Sequence, residues 1–172
     1  MTDLVLLHGG NHGSWCWGPF VEALNQQPGG FERVITLDMP GCGKKRGRDV
    51  VSLRLDDVVE ELNQDLRVLR GNQAVLFGHS IAGAVLPRME ISQDATPRCF
   101  ATASISREGY AGMIPASYIL TQRDNILPVD WQRRFAQRAG AGEVIEIDTV
   151  HEPFVSHPQL LAEVVRGFEW AR

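Results

Sequence analysis

Phe77-Gly78-His79-Ser80-Ile81-Ala82-Gly83 is the stretch on which the reading of this chain turns. An apolar run, Ala74 to Phe77, ends at a glycine, a serine stands at the turn, and small residues open the next segment. A strand that runs into a helix through so sharp a turn brings backbone segments close together, and Gly78 and Ala82 leave room for that. The turn presents Ser80 at the carboxyl end of a sheet. It also places the first N–H groups of a helix, the positive end of its dipole, beneath the serine. The plainer role for Ser80 is to cap that helix.

Working outward, Leu4 to Leu7, Arg33 to Met39, Ser117 to Leu120 and Val144 to Ile147 are further short apolar or β-rich runs. Continuous apolar strands separated by helical segments predict a parallel sheet buried on both faces. Leu55, Val58, Val59, Leu62, Leu66 and Leu69 follow the three-and-four spacing of an amphipathic helix over Leu53 to Leu69. Asp130 to Ala139 and Pro158 to Trp170 are two more helices, with Pro158 suited to a first turn, where no N–H is needed. The pattern predicts an α/β fold, a three-layer α/β/α domain with a mostly parallel sheet, as one unit over residues 1–172. Gln93 to Pro115 resists the pattern. Arg98 to Ile105 reads either as another strand, with only about ten residues then left before the next one where a parallel crossover needs about a dozen, or as a short irregular connection or a helix that the pattern does not show.

The chain has 172 residues, 44% hydrophobic and 22% charged, enough to bury a core and incompatible with wholesale disorder. Seventeen basic against 21 acidic residues give a net charge of −4 without a basic stripe, so nucleic acid is not an expected partner. Cys16, Cys42 and Cys99 are scattered and suggest neither a disulfide framework nor a zinc cluster. The first residues lack the basic-then-apolar pattern of a secretory signal, and no apolar run reaches the ~20 residues of a membrane span. The expectation is a cytoplasmic protein, with no membrane partner, no metal and no cofactor.

A serine hydroxyl is a poor nucleophile at neutral pH, so a base must sit beside it and an acid must orient that base. His151 follows the Val144–Ile147 run and Asp124 follows the Ser117–Leu120 run. Parallel strands put both loops on the same sheet edge as Ser80, the edge where open α/β sheets bind ligands. Among the competitors, Asp148 lies within its strand end, Asp130 reads as a helix cap, and His157 as a surface or capping residue at the last helix. The N–H of Ile81 and that of Gly10, in the exit loop of the first strand, are the expected donors to an oxyanion. His8 and His12 tempt a metal reading, but the glycines between them argue for a loop that the histidines fix by hydrogen bonds.

Taken in order, LVLLHGGNHGSWCW, LDMPGCG, FGHSIAG, TQRDNILP and HEPF resemble the α/β-hydrolase superfamily. They are most similar to its small esterase branch, which includes plant methyl esterases and hydroxynitrile lyases. His8, Gly9, His12, Gly13, Trp15 and Trp17 match the HG-x-x-HG-x-W-x-W opening of that branch. The resemblance implies Ser80 as nucleophile, His151 as base, Asp124 as acid, and Gly10 and Ile81 as oxyanion donors. It implies a serine hydrolase of a small ester, thioester or lactone. A lyase- or cyclase-type enzyme, or a ligand-binding protein without turnover, are the other outcomes the same site admits. The chain departs from the family in Ala82, where a second elbow glycine is usual, and in the interval 93–115, too short for a full cap. A reduced domain exposes surface that a cap would cover, which admits a homodimer. Hydroxynitrile lyases of the branch carry Thr at the position of Gly9 and Lys at that of Glu152, so cyanohydrin cleavage is disfavoured. Trp15, Trp17, Ile81, Ile126, Leu127 and Phe154 are candidate apolar walls for a small-molecule substrate, and each is equally readable as core.

Overall fold

The computed structural model describes residues 2–26, 29–67, 73–89, 97–101 and 115–168. Six strands form one parallel sheet: β1 (Thr2–Leu7), β2 (Val34–Leu37), β3 (Gln73–Gly78), β4 (Pro97–Ala101), β5 (Ala116–Thr121) and β6 (Ala141–Ile147). Their spatial order is β2-β1-β3-β4-β5-β6. The first strand lies one in from the edge; the chain steps outward to β2, then returns to β3 on the other side of β1. That reversal of winding opens a crevice above the carboxyl ends of β1 and β3.

Alternation along each strand divides the core into two layers. Leu4, Leu6, Val75, Phe77 and Ile119 point to the face covered by α1 (Gly18–Asn25) and α6 (Pro158–Gly167). Val5, Leu7, Ala74 and Leu76 point to the opposite face, against Leu62 and Leu66 of α2 (Leu55–Leu66) and Ala82 and Val85 of α3 (Ala82–Val85). Tyr118 and Leu120 pack on that second face against Ala136 of α4 (Val129–Arg138). A last short helix, α5 (Pro153–Ser156), leads into α6. The three-layer arrangement follows the sequence expectation, with two refinements. The edge strands β2 and β6 are only partly buried, so the Val144–Ile147 run is not covered on both faces. Helix α1 was not expected: Gly18-Pro19 has the look of a turn, yet the proline sits in the first helical turn while Phe20, Ala23 and Leu24 fill the core.

The expected strand at Arg98 to Ile105 is β4, which pairs in parallel with both β3 and β5. Its described residues run from Pro97 to Ala101, and β5 begins at Ala116. The shortened connection expected at 93–115 lies largely outside the described residues.

The turn after β3 is tight in a measurable way. A Cβ placed on Gly78 would lie 2.3 Å from Leu86 Cδ1 and 3.1 Å from Ala82 Cβ. Ala82 is tolerated in place of glycine because its methyl occupies the room that Gly78 leaves. Both neighbours are buried, so relief must come from the core itself. Gly78→Ala is expected to destabilise the protein by about 1–3 kcal/mol, read as a lowered urea midpoint at unchanged slope.

Candidate active site

Among the described residues, the loops after β1, β3, β5 and β6 come together at the carboxyl edge of the sheet. Their approach is set by main-chain bonds. Gln122 N–H donates to Ile147 O and Arg123 N–H to Thr149 O, each at 2.9 Å, which ties the β5 loop to the β6 loop. His79 N–H donates to Leu7 O at 3.1 Å, which ties the β3 turn to the end of β1. The Arg123 guanidinium reinforces the first tie through Asp148, donating to its Oδ1 at 2.7 Å and its main-chain oxygen at 2.8 Å.

Within this frame Asp124 and His151 come together. His151 Nδ1–H donates to Asp124 Oδ2 at 2.6 Å, and both side chains are buried. The other carboxylate oxygen accepts the N–H groups of Ile126 and Leu127, both at 2.8 Å. Thr121 Oγ1 and Gln132 Nε2 complete the shell on Oδ2 at 2.9 and 3.4 Å. Burial works to raise the Asp124 pKa, but the Leu127 amide, His151 and the Ile126 amide outweigh it and hold the carboxyl below its ordinary range. The result is an ionised acid that fixes the imidazole tautomer: the proton is on Nδ1, and Nε2 carries the lone pair. Asp148, the alternative acid, is committed to Arg123. Asp130 lies inside the first turn of α4 behind a Pro128 cap and makes no side-chain cap bond. His157 is the residue before α6 and bonds Ser156 Oγ.

Ser80 stands at the β3–α3 turn with φ of 54°, a left-handed conformation that a serine rarely adopts. The cap position of α3 falls on Ile81, so the plain capping role does not describe Ser80. Asn11, in the loop after β1, has φ of 61°; among the described residues these two are the non-glycine positions with positive φ. Both lie at this edge, and strained backbone of this kind concentrates at functional sites. Gly9 packs directly under the turn: a Cβ there would lie 2.6 Å from His79 Nδ1 and 3.0 Å from Ser80 Cβ. A side chain at position 9 would thus displace the turn. Gly10 is exposed, with open space where its Cβ would be. Among the described residues neither its N–H nor that of Ile81 donates to a main-chain oxygen.

The histidines near β1 fix the loop. His8 Nδ1–H donates to Gly9 O at 2.7 Å, and His8 Nε2 accepts Met39 N–H at 3.1 Å. Burial lowers the His8 pKa, in keeping with this neutral, doubly bonded ring. His12 Nδ1–H donates to Gly10 O at 2.8 Å. Asp38, buried at the end of β2, accepts from Ser14 N–H and Oγ–H and from Lys44 N–H at 2.6, 2.9 and 3.0 Å, so that two loops share one anchor.

The candidate walls divide. Trp15 and Ile126 are 64% and 68% exposed, Ile81 is exposed and Leu127 half-buried. Trp17 and Phe154 are corrected to core: at 0% and 1% exposure they pack on each other, with Trp17 also against Phe20 and Phe77, and present no area to a ligand. Two residues at the site escaped the sequence reading. Gln132, on the buried side of α4, clamps the β5 loop through Thr121 N–H, Thr121 O and Leu127 O. Its signal was a polar residue at a core-facing helical position. His79 is buried beside His151, with ring centroids 4.6 Å apart.

Residues 4–105 match the model of a family described as the alpha/beta hydrolase family. Putative methylesterase 11, chloroplastic, of Arabidopsis thaliana is 34% identical over 86 residues, covering 49% of this chain but 21% of that protein. Methylesterase 2 of the same plant is 23% identical over 250 aligned positions, with 92% of each chain covered. That alignment is longer than the 172 residues here, so this chain is reduced relative to it. Among solved structures, a pyrethroid hydrolase from Sphingobium faniae JZ-2 superposes with a TM-score of 0.74 at 19% identity, covering 99% of this chain and 98% of that one.

Burial first, and the neighbouring His151 second, push His79 from the ordinary 6.5 down to about 3. The unfolded residue takes a proton as pH falls through about 6.5, while the folded one stays neutral until near 3. Stability is therefore undiminished above about 6.5 and falls on acidification, at up to about 1.4 kcal/mol per pH unit from this residue. Asp124, held low, adds its own loss only below the usual carboxylate range. Urea midpoints at about pH 7.5, 6 and 5 should decline in the wild type and less steeply in His79→Gln, with His8 supplying a residual slope.

Proposed function

The chain belongs to the alpha/beta hydrolase family, and we propose that it is a serine hydrolase of small carboxylic esters, with thioesters and lactones within the same chemistry. The observation that carries this reading is the 2.6 Å bond from His151 Nδ1–H to a buried, amide-held Asp124, on loops tied to one another beside the strained Ser80 turn. An imidazole so oriented has its Nε2 lone pair available for one proton. In the proposed reaction Ser80 Oγ attacks the acyl carbon and its proton passes to His151 Nε2. The Asp124 carboxylate stabilises the imidazolium that forms. The N–H groups of Gly10 and Ile81 receive the developing oxyanion. Collapse breaks the bond from the acyl carbon to the leaving oxygen, which takes the proton back from His151. Water then repeats the sequence on the acyl-enzyme and restores Ser80.

The methylesterase relatives support ester chemistry by their names. Gly9 stands where the hydroxynitrile lyases carry a threonine, and this turn has no room for one, since a Cβ there would approach His79 Nδ1 to 2.6 Å. Trp15, Ile81 and Ile126, each exposed, are the proposed apolar walls for the substrate.

A panel of p-nitrophenyl esters, thioesters and lactones tests the proposal. Ser80→Ala should lower kcat/KM by at least about a thousandfold without loss of fold. Asp124→Asn should lower it about a hundredfold or more, because the amide no longer holds the Nδ1–H tautomer. A fluorophosphonate should label the wild type at Ser80. Turnover that survives Ser80→Ala nearly intact would exclude the covalent route.

A further inference from the structure

His79 has a place in the structure that the proposed reaction leaves unused. It stands in the turn between Gly78 and Ser80, so its backbone moves with the nucleophile. Its side chain turns away from solvent and reaches the other side of the site. There Nε2–H donates to the main-chain oxygen of His151 at 2.8 Å, a contact between residues 72 apart in sequence. A carbonyl only accepts, so this bond fixes the proton on Nε2. The other nitrogen, Nδ1, is buried without a hydrogen-bond partner. It faces the backbone of Gly9, where even a Cβ would approach to 2.6 Å. Phe154 packs edge-on against the ring at 4.8 Å between centroids, and His151 does so at 4.6 Å. Every side of the imidazole is thus occupied by the β1 loop, the β6 loop or α5.

We propose that His79 is a positioning residue, whose Nε2–H bond to the His151 carbonyl locks the loop carrying the base to the turn carrying the nucleophile. The inference rests on the esterase reading for its activity consequence, and on geometry alone for the contact. Asp124 fixes the rotation of the His151 ring, but it belongs to the β5 loop and does not hold the His151 backbone relative to Ser80. The carbonyl bond does. A buried carbonyl that loses its donor is costly, so the β6 loop would shift to find another partner or water. Displacement of a base by even ~1 Å is enough to slow proton transfer markedly. The ring is neutral and stays a donor through the working range, so it takes no part in the proton relay.

Two variants separate this role from simple packing. His79→Gln can present an amide N–H near the former Nε2. His79→Leu fills similar space without a donor. The proposal expects kcat of His79→Leu to fall by about 10- to 100-fold with KM changed less than about twofold. It expects His79→Gln to recover most of that loss. It further expects faster amide hydrogen exchange over residues 148–156 in His79→Leu than in wild type or His79→Gln. Equal exchange in all three proteins, or a glutamine variant as impaired as the leucine one, would overturn it. If the wild type proves inactive toward every ester and unreactive to fluorophosphonate, the esterase reading fails, while the exchange measurement still decides the contact.

Discussion

Strands β1 and β3 have no side facing water. Leu4, Val5, Leu6 and Leu7 are fully buried, and Ala74 to Phe77 nearly so, with successive side chains committed to opposite layers. A strand buried on both faces cannot slip by one residue without moving every side chain into the wrong layer, but here both layers are apolar. Register is fixed instead by the turns at the carboxyl ends, where Gly78 sits against Leu86 and His79 N–H meets Leu7 O. The same requirement for helices on both faces makes the strands parallel, which brings the loops bearing Ser80, Asp124 and His151 to one edge. The site's location is thus a consequence of how the core is covered.

At that edge, protonation states are assigned by environment. Asp124 and His79 are both withdrawn from water, and desolvation alone would neutralise each. Asp124 resists because two loop amides and the His151 N–H converge on its carboxylate. His79 does not resist, because one of its nitrogens donates to a carbonyl and the other has no hydrogen-bond partner. The His79 ring, 4.6 Å from that of His151, is thus buried in its neutral form.

The stretch Phe77 to Gly83 and the positions of Asp124 and His151 were legible because strand ends and turn residues are local signals. Helix α1 was less so: a Gly-Pro pair marks a turn and a helix start equally well, and only the packing of Phe20, Ala23 and Leu24 decides. Trp15 and Trp17 share one motif, yet the first is exposed and the second is core. Residues two apart on a tight turn of helix point in different directions, and the sequence pattern does not say which points inward. His79 and Gln132 were missed for another reason. Their partners lie in other loops, and a hydrogen bond across 72 residues leaves no periodic trace in the chain. Polar residues inside otherwise apolar stripes are the one local hint of such bonds.

The reduced length of the chain, set beside the 250-position alignment with Methylesterase 2, changes what has to supply selectivity in the proposed enzyme. Several apolar side chains at this edge are exposed: Trp15 after β1, Ile81 after β3, Ile126 after β5 and Val155 in α5. Each belongs to a loop or short helix that also carries a proposed site residue or follows one closely. Covering such area returns about 25 cal/mol per Å2, so an apolar acyl or alkyl part gains affinity in proportion to how many of these loops it spans. In the proposed enzyme, selectivity among apolar parts depends on the spacing of these tied loops. That spacing is held by the same few bonds that orient the base: Arg123 to Asp148, Gln132 to Thr121 and Leu127, and His79 to His151. A substitution that loosens one of them therefore disturbs substrate fit and proton transfer together.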